Sequence, residues 1–351
     1  MRSNRSLGTY IRTNSESDRK IVEEGISIKK ITARSSSKAL RIGAILISLL
    51  ALTLIVASFL GSERLPLFDL NAQQQSIFYD IRLPRILLGG CVGASLAIAG
   101  AGLQSLLRNP LAEPYLLGVS NGAALGTMLA FVFFDRFEFS RPVMAFAGAG
   151  IASVAVYQMA KSRTGMNVER LVLSGVIVTT FLSSILVFLT TLLDMAKVRS
   201  FTFWLLGDLS QATRGGFYLS FAAVVVTTAI LTWQARALNL MMIGEQDAFD
   251  FGVEVNRVRL LVFGAASLVV GAAVAASGSV GYVGLIVPHL VRMTVGTDNR
   301  LVVPFSAIAG AIFVVLADTI ARTAIAPREL PVGAVTALIG APMFIYLLRR
   351  G

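Results

Sequence analysis

The chain has 351 residues, 55% of them hydrophobic and only 15% charged, with a mean hydropathy of +0.73 and a formal net charge of +11. That balance belongs to membrane proteins and excludes an ordinary soluble globular domain. The positive charge does not point to nucleic acid, because ten of the 31 Lys and Arg fall in the first 41 residues and the rest scatter at segment ends.

Residues 1–41 carry Arg2, Arg5, Arg12, Arg19, Lys20, Lys29, Lys30, Arg34, Lys38 and Arg41 among Ser and Thr. They read as a disordered basic arm lying against the anionic cytoplasmic leaflet. The arm is too long and polar for the leading part of a signal peptide, and no small-residue cleavage site follows, so the first apolar segment is expected to be retained. Nine stretches then run without a charged residue: 42–62, 86–107, 114–134, 142–160, 171–193, 215–235, 260–291, 301–317 and 330–348. A hydrocarbon core about 30 Å thick needs about 20 apolar residues at 1.5 Å rise each. Residues 260–291 suffice for two crossings, with a turn at Ala276-Ser277-Gly278-Ser279-Val280-Gly281. No stretch alternates strictly, which selects helices over barrel strands. The expected fold is therefore an all-α polytopic membrane protein with about ten transmembrane helices in one domain, 42–351.

An even helix number puts both termini on one side. With the arm inside, 21 Lys and Arg lie on cytoplasmic connections against 10 outside, which follows the positive-inside rule. Without the arm the loops divide 11 to 10, so the orientation rests on the arm. Gly89 and Gly93, and again Gly118, Gly122 and Gly126, repeat every four residues, a spacing that lets helices approach closely. A Gly/Ala-rich helix followed by prolines occurs at 89–114 and again at 264–288, an echo of the two-half design of many transporters. The single cysteine, Cys91, excludes an intramolecular disulfide and a cysteine-cluster metal site.

Several constellations bear on chemistry. Asp80-Ile81-Arg82-Leu83-Pro84-Arg85 opens the second helix. Two arginines near the positive end of a helix dipole call for acidic compensation. Asp80 with lipid headgroups supplies it in one reading, and an acidic protein docking from outside supplies it in the other. Gly118-Val119-Ser120-Asn121-Gly122 spells a nucleophile elbow, but that motif needs a strand–turn–helix setting and a partner histidine. The only histidine is His289 and no third orienting acid is evident, so an intramembrane hydrolase using Ser120 and His289 is a remote alternative. Asp318 stands four residues before Arg322 on one helix face and reads as an ion pair rather than a proton relay. No carboxylate ladder suits a cation, and no metal site is expected. No G-x-x-x-x-G-K-[ST] loop occurs, so any ATP must be bound by another polypeptide. The long connection 237–259 mixes apolar Met241, Ile243, Ala248, Phe249 and Phe251 with Glu245, Asp247 and Asp250, with room for two short helices joined near Gly252. Such apolar content in a polar connection suits a docking surface for a soluble partner.

Taken together, these segments resemble the FecCD family of ABC-importer permeases. The likeness runs through Arg82-Leu83-Pro84-Arg85; Ala99-Gly100-Ala101-Gly102-Leu103-Gln104; Arg108-Asn109-Pro110-Leu111-Ala112-Glu113-Pro114; and Leu117-Gly118-Val119-Ser120-Asn121-Gly122-Ala123. It continues at Gly281-Tyr282-Val283-Gly284-Leu285-Ile286-Val287-Pro288-His289-Leu290-Val291-Arg292, Ala317-Asp318-Thr319-Ile320-Ala321-Arg322 and Glu329-Leu330-Pro331-Val332-Gly333. The resemblance covers 42–351 and implies a type II ABC-importer permease fold working as a homodimer around a central path. It implies that cytoplasmic ATP-binding cassette subunits seat on 237–259. Expected contacts there are Met241, Ile243, Gly244, Glu245, Ala248, Phe251 and Gly252. An extracytoplasmic substrate-binding protein is expected to meet Arg82, Arg85 and Arg322 through its own acidic residues, with Asp318 orienting Arg322. The helix 171–193, with Ser174, is expected to line the path, behind an inner gate in 161–170. Val168 and Glu169 stand there in place of the small hydroxyl residues of the cobalamin importer. The implied activity is ATP-driven alternating access in the cytoplasmic membrane, with no bond chemistry and no cofactor on this chain. Ferric siderophores lead as cargo, with cobalamin and haem as alternatives; a lone His289 offers no second histidine for haem hand-over. An ion-coupled secondary transporter is the remaining alternative.

Overall fold

The computed structural model describes residues 37–61, 71–134, 140–162 and 165–350. Most of the basic arm (1–36), with Arg64, Arg136 and Arg163, lies outside them. The chain divides into two units, Met1–Ile45 and Leu46–Gly351; the described part of the first is the opening of a helix. In chain order the helices are α1 (Ser37–Phe59), α2 (Ala72–Leu106), α3 (Val119–Phe133), α4 (Ser140–Ala160), α5 (Val168–Thr190), α6 (Met195–Leu205), α7 (Arg214–Trp233), α8 (Ala235–Ile243), α9 (Glu245–Asp250), α10 (Val255–Ser277), α11 (Val283–Val295), α12 (Asn299–Thr323) and α13 (Val332–Arg350). A two-stranded antiparallel hairpin, β1 (Lys161–Ser162) and β2 (Gly165–Met166), joins α4 to α5, with Lys161 opposite Met166.

Among the described residues seven helices are long and apolar enough to cross a membrane, and α3, α11 and α13 are shorter apolar helices, which together make the expected ten. The centre is α2. Its most apolar window is 89% buried, whereas that of α1 is 11% buried. Helix α2 packs on α12, α10, α7 and α11. Small residues permit this: a Cβ on Gly93 would stand 2.0 Å from the Gly310 carbonyl of α12, and one on Gly100 would meet Gly284 of α11. The spacing of Gly122 and Gly126 likewise serves close packing, each facing the backbone of α4. Gly118 does something else. Its φ of 74° lies in the left-handed region and turns the chain from the 3₁₀ turn Pro114–Leu117 into α3.

Helix α2 contains a wide, π-type turn over Ile77–Arg82, ending two residues before Pro84. A proline lacks the N–H for the helical ladder and crowds the carbonyl four residues back, and a widened turn accommodates both faults. Further along, two irregular segments meet. Gly284 abuts the Leu96 carbonyl, midway along Leu83–Leu106, and also Pro114, so both segments lie deep in the bundle. Backbone that leaves a helix at membrane depth must find partners inside the protein. Here the Tyr115 hydroxyl donates to the Val280 carbonyl (3.0 Å) and accepts from the Val280 N–H (2.8 Å). The Glu113 carboxylate accepts from Tyr282 N–H at 3.0 Å, capping the start of α11, where Tyr282 itself is left-handed.

Candidate functional sites

At the N-terminal end of α2, three arginines gather. Arg82 donates from Nη1 to the carbonyls of Ser58 and Phe59 at 3.2 and 3.3 Å. Arg85 reaches Asp318 of α12 through Nε and Nη2 at 3.0 and 2.9 Å, and donates from Nη1 to Glu329 at 2.7 Å. Arg322 approaches the other Asp318 oxygen at 3.0 Å through Nε and donates from Nη2 to the Ala57 carbonyl. Asp318 thus serves two guanidinium groups from two helices.

The expected i,i+4 pair exists, but as half of a larger cluster. Compensation also differs from the Asp80 and lipid-headgroup reading: Asp80 pairs with exposed Arg214 at 3.0 Å, and Asp318 and Glu329 compensate Arg85 instead. The three arginines expected on an open docking face are nearly enclosed, at 4, 6 and 3% exposure. Enclosing a guanidinium costs desolvation, which carboxylate or carbonyl partners offset, and each of the three has them.

At the opposite end of α2, α8 and α9 form an elbow hinged at Gly244. Ile243, Phe249 and Phe251 stand out from it, at 74, 67 and 76% exposure. Met241 and Ala248, expected on the same contact surface, turn inward and fix the elbow to the bundle: Met241 is two residues from Ile243 on α8 and Ala248 is next to Phe249 on α9, and residues so spaced on a helix do not share a face. The joint therefore falls at Gly244 and not near Gly252 as expected; Gly252, with φ 80° and open space around it, instead lies just past the end of α9. Two polar clamps hold the elbow. On α8, Asn239 donates to Asp298 (2.7 Å) and accepts from the N–H and Nδ2 of Asn299; Asn299 in turn shares Ser105 with Arg292. On α9, Glu245 accepts from Arg108 at 3.3 Å and from Arg259.

The α4–α5 connection carries the residues expected at the gate. Asn167 caps α5 by accepting from Arg170 N–H at 2.9 Å. Val168 is half-buried, Glu169 exposed, and Ser174 buried one turn further on. Gly165 packs against Asn256 of α10, and the Met166 carbonyl accepts from Arg259 Nη1 at 2.8 Å. The expected path helix α5 leaves Leu173, Ile177, Phe181, Val187 and Phe188 exposed in the single chain. A cavity of about 1240 Å³ lies elsewhere, between α4, α6, α7 and α10, lined by Arg141, Arg199, Phe203, Trp204, Asp208 and Gln211. Sequence reading missed it. Ser120 donates to Ser279 at 3.2 Å, a serine pair rather than the serine–histidine pair of a hydrolase.

Residues 43–350 match the FecCD transport family. The chain is 45% identical to the cobalamin import system permease protein BtuC of Halobacterium salinarum, over 80% of this chain and 76% of that protein. It is 38% identical to the hemin transport system permease protein HmuU of Yersinia pestis, over 80% of this chain and 85% of that one. A solved structure described as an inward-facing conformation of a metal-chelate type ABC transporter superposes with a TM-score of 0.77 at 33% identity, covering 87% of this chain and 98% of the other.

Proposed function

The chain belongs to the FecCD transport family and is a permease of the ABC-importer type. From that premise we propose that two copies form a path through the cytoplasmic membrane for a bulky metal chelate, with a ferric siderophore complex as the leading cargo. A partner ATPase drives alternating access by moving the α8–α9 elbow. The observation that carries this proposal is the placement of the two sites at opposite ends of one helix. Leu83–Leu106 has 24 residues, and at 1.5 Å per residue it spans about 36 Å, enough to put one site on each side of a 30 Å core.

In this arrangement the elbow faces the cytoplasm, with both termini, and offers Ile243, Phe249 and Phe251 to the ATP-binding cassette subunit. The arginine end faces outward and receives an acidic binding protein. Because Arg82, Arg85 and Arg322 are already engaged, partner carboxylates reach them by exchange, and half-exposed Glu329 is the carboxylate most accessible for it. The exposed face of α5, with Val168, Glu169 and Ser174 near its start, lines the path between the copies, and the 161–170 connection gates it on the cytoplasmic side. The chain holds no cofactor of its own.

Reconstitution tests the proposal: vesicles containing the permease, its ATPase and its binding protein should take up ⁵⁵Fe-siderophore only with internal ATP. Uptake by the permease alone on a proton or sodium gradient would refute it. Cobalamin is the second reading, favoured by the 45% identical relative named for cobalamin import. Competition between labelled cobalamin and ferric siderophore for the cognate binding protein separates the two.

A further inference from the structure

We propose that Arg259 is the positioning residue that ties the α8–α9 elbow to the α4–α5 hairpin, so that the two move as one piece when the ATPase acts. The idea rests on the functional reading above, in which the elbow receives the ATPase and 161–170 gates the path.

Arg259 sits in the second turn of α10, and its side chain is only 9% exposed. One arm of its guanidinium, Nη2, holds Glu245, the first residue of α9. The other arm, Nη1, donates to the Met166 carbonyl at 2.8 Å, two residues before α5 begins. A planar fork is suited to holding two acceptors in fixed directions at once, which a single ammonium is not. The hairpin has a second anchor on the same helix. A Cβ on Gly165 would lie 2.1 Å from Asn256 Oδ1, so the strand backbone is pressed against the first turn of α10. Buried Met166 fixes the strand from the core side. On the elbow, Glu245 is shared with Arg108 at the end of α2, so the junction joins three cytoplasmic connections through one carboxylate. A physical chain of contacts therefore runs from α9 through Glu245 and Arg259 to the residue pair that leads into Val168 and Glu169. Energetic coupling needs such a contiguous element with two positions to choose between.

Arg259→Lys keeps the charge and the partner Glu245 but cannot hold both acceptors. In vesicles with the full complex, the variant should still co-purify with the ATPase and hydrolyse ATP within about twofold of wild type. Cargo taken up per ATP should fall at least tenfold. Glu245→Gln, which weakens the elbow end and leaves the Met166 contact intact, should uncouple in the same direction and guards against a folding defect in the arginine variant. Spin labels on Lys161→Cys and Asp247→Cys, both exposed, supply a readout that mere destabilisation would not move. Their separation should be narrow and independent of nucleotide in the parent, and should broaden and become nucleotide-dependent with Arg259→Lys. Unchanged stoichiometry of transport, or an unchanged label distribution, would overturn the proposal. A parent chain that fails to recruit the ATPase would instead overturn the functional reading, and the label distribution in the permease alone would still decide the role of Arg259.

Discussion

Replacing Asp318 by Asn should be the most damaging isosteric change at the arginine end of the molecule. The side chain keeps its volume but loses the charge that lies between Arg85 and Arg322, at 2.9 and 3.0 Å, in a site where Asp318 is 2% exposed. Breaking a buried ion pair by removing one partner costs about 3–5 kcal/mol, because the surviving charge is left desolvated. Glu329→Gln removes the other carboxylate on Arg85, but that side chain is 37% exposed, and a solvent-screened pair contributes about 1 kcal/mol or less. The ratio between the two, at least threefold, is the sharper quantity. Cys91 supplies the assay: it is the only cysteine, it is buried, and it lies six residues after Arg85 on the same helix. A thiol-reactive fluorophore added to detergent-solubilised protein should label it only on unfolding. The expected result is a midpoint lowered several degrees by Asp318→Asn and at most slightly by Glu329→Gln. A double variant, Asp318→Asn with Arg322→Gln, should cost less than the sum of its parts. Equal midpoints for Asp318→Asn and Glu329→Gln would refute the central place of Asp318.

Other expectations concern packing, docking and chemistry. Gly93→Val should abolish the α2–α12 contact and yield little folded protein, whereas Gly264→Ala, where nothing lies within 4 Å of the added carbon, should be near neutral; the same fluorophore melts compare them. Ile243→Asp and Phe251→Asp should reduce co-purification of the ATPase at least tenfold with the permease midpoint unchanged, while Met241→Asp should lower the midpoint itself. Arg85→Glu, which sets a third carboxylate against Asp318 and Glu329, should lower the melting midpoint, and below that midpoint it should also weaken capture of the binding protein, more at low salt than at high, as surface plasmon resonance would report. Ser120→Ala and His289→Ala should leave uptake within twofold; loss of transport in either would revive a chemical role for the pair.

The spans were legible because charge-free length is a one-dimensional property. The ten apolar helices correspond to the stretches read from the chain, including the break within 260–291, where Gly278 (φ 69°) and Tyr282 separate α10 from α11. Apolar runs do not reveal whether the backbone is helical, however. The stretch 114–134 hides a 3₁₀ turn and the reversal at Gly118, so α3 is only 15 residues long. Pairing was less legible. Arg322 is four residues from Asp318 and was matched to it, whereas Arg85 and Glu329 are 244 positions apart and no local pattern links them. The split in the elbow had a usable signal that charge and hydrophobicity alone obscured: Leu238 and Met241 share the inner face at a spacing of three, and Ile243 falls on the other. Arg259 carried no signal beyond its sign, since its partners are a carboxylate 14 residues upstream and a backbone carbonyl 93 residues away.

The pair of hydrogen bonds between Tyr115 and Val280 has a consequence for how such a bundle can open. A hydroxyl that gives to and takes from the same residue stitches the root of α3 to the root of α11, and Glu113, bonded to Tyr282, adds a second stitch two residues away on each side. Two half-length helices joined at their roots are unable to slide past one another without exposing bare peptide groups in oil. Rearrangement therefore has to pass around this seam, leaving it as a fixed pivot about which the longer rods swing.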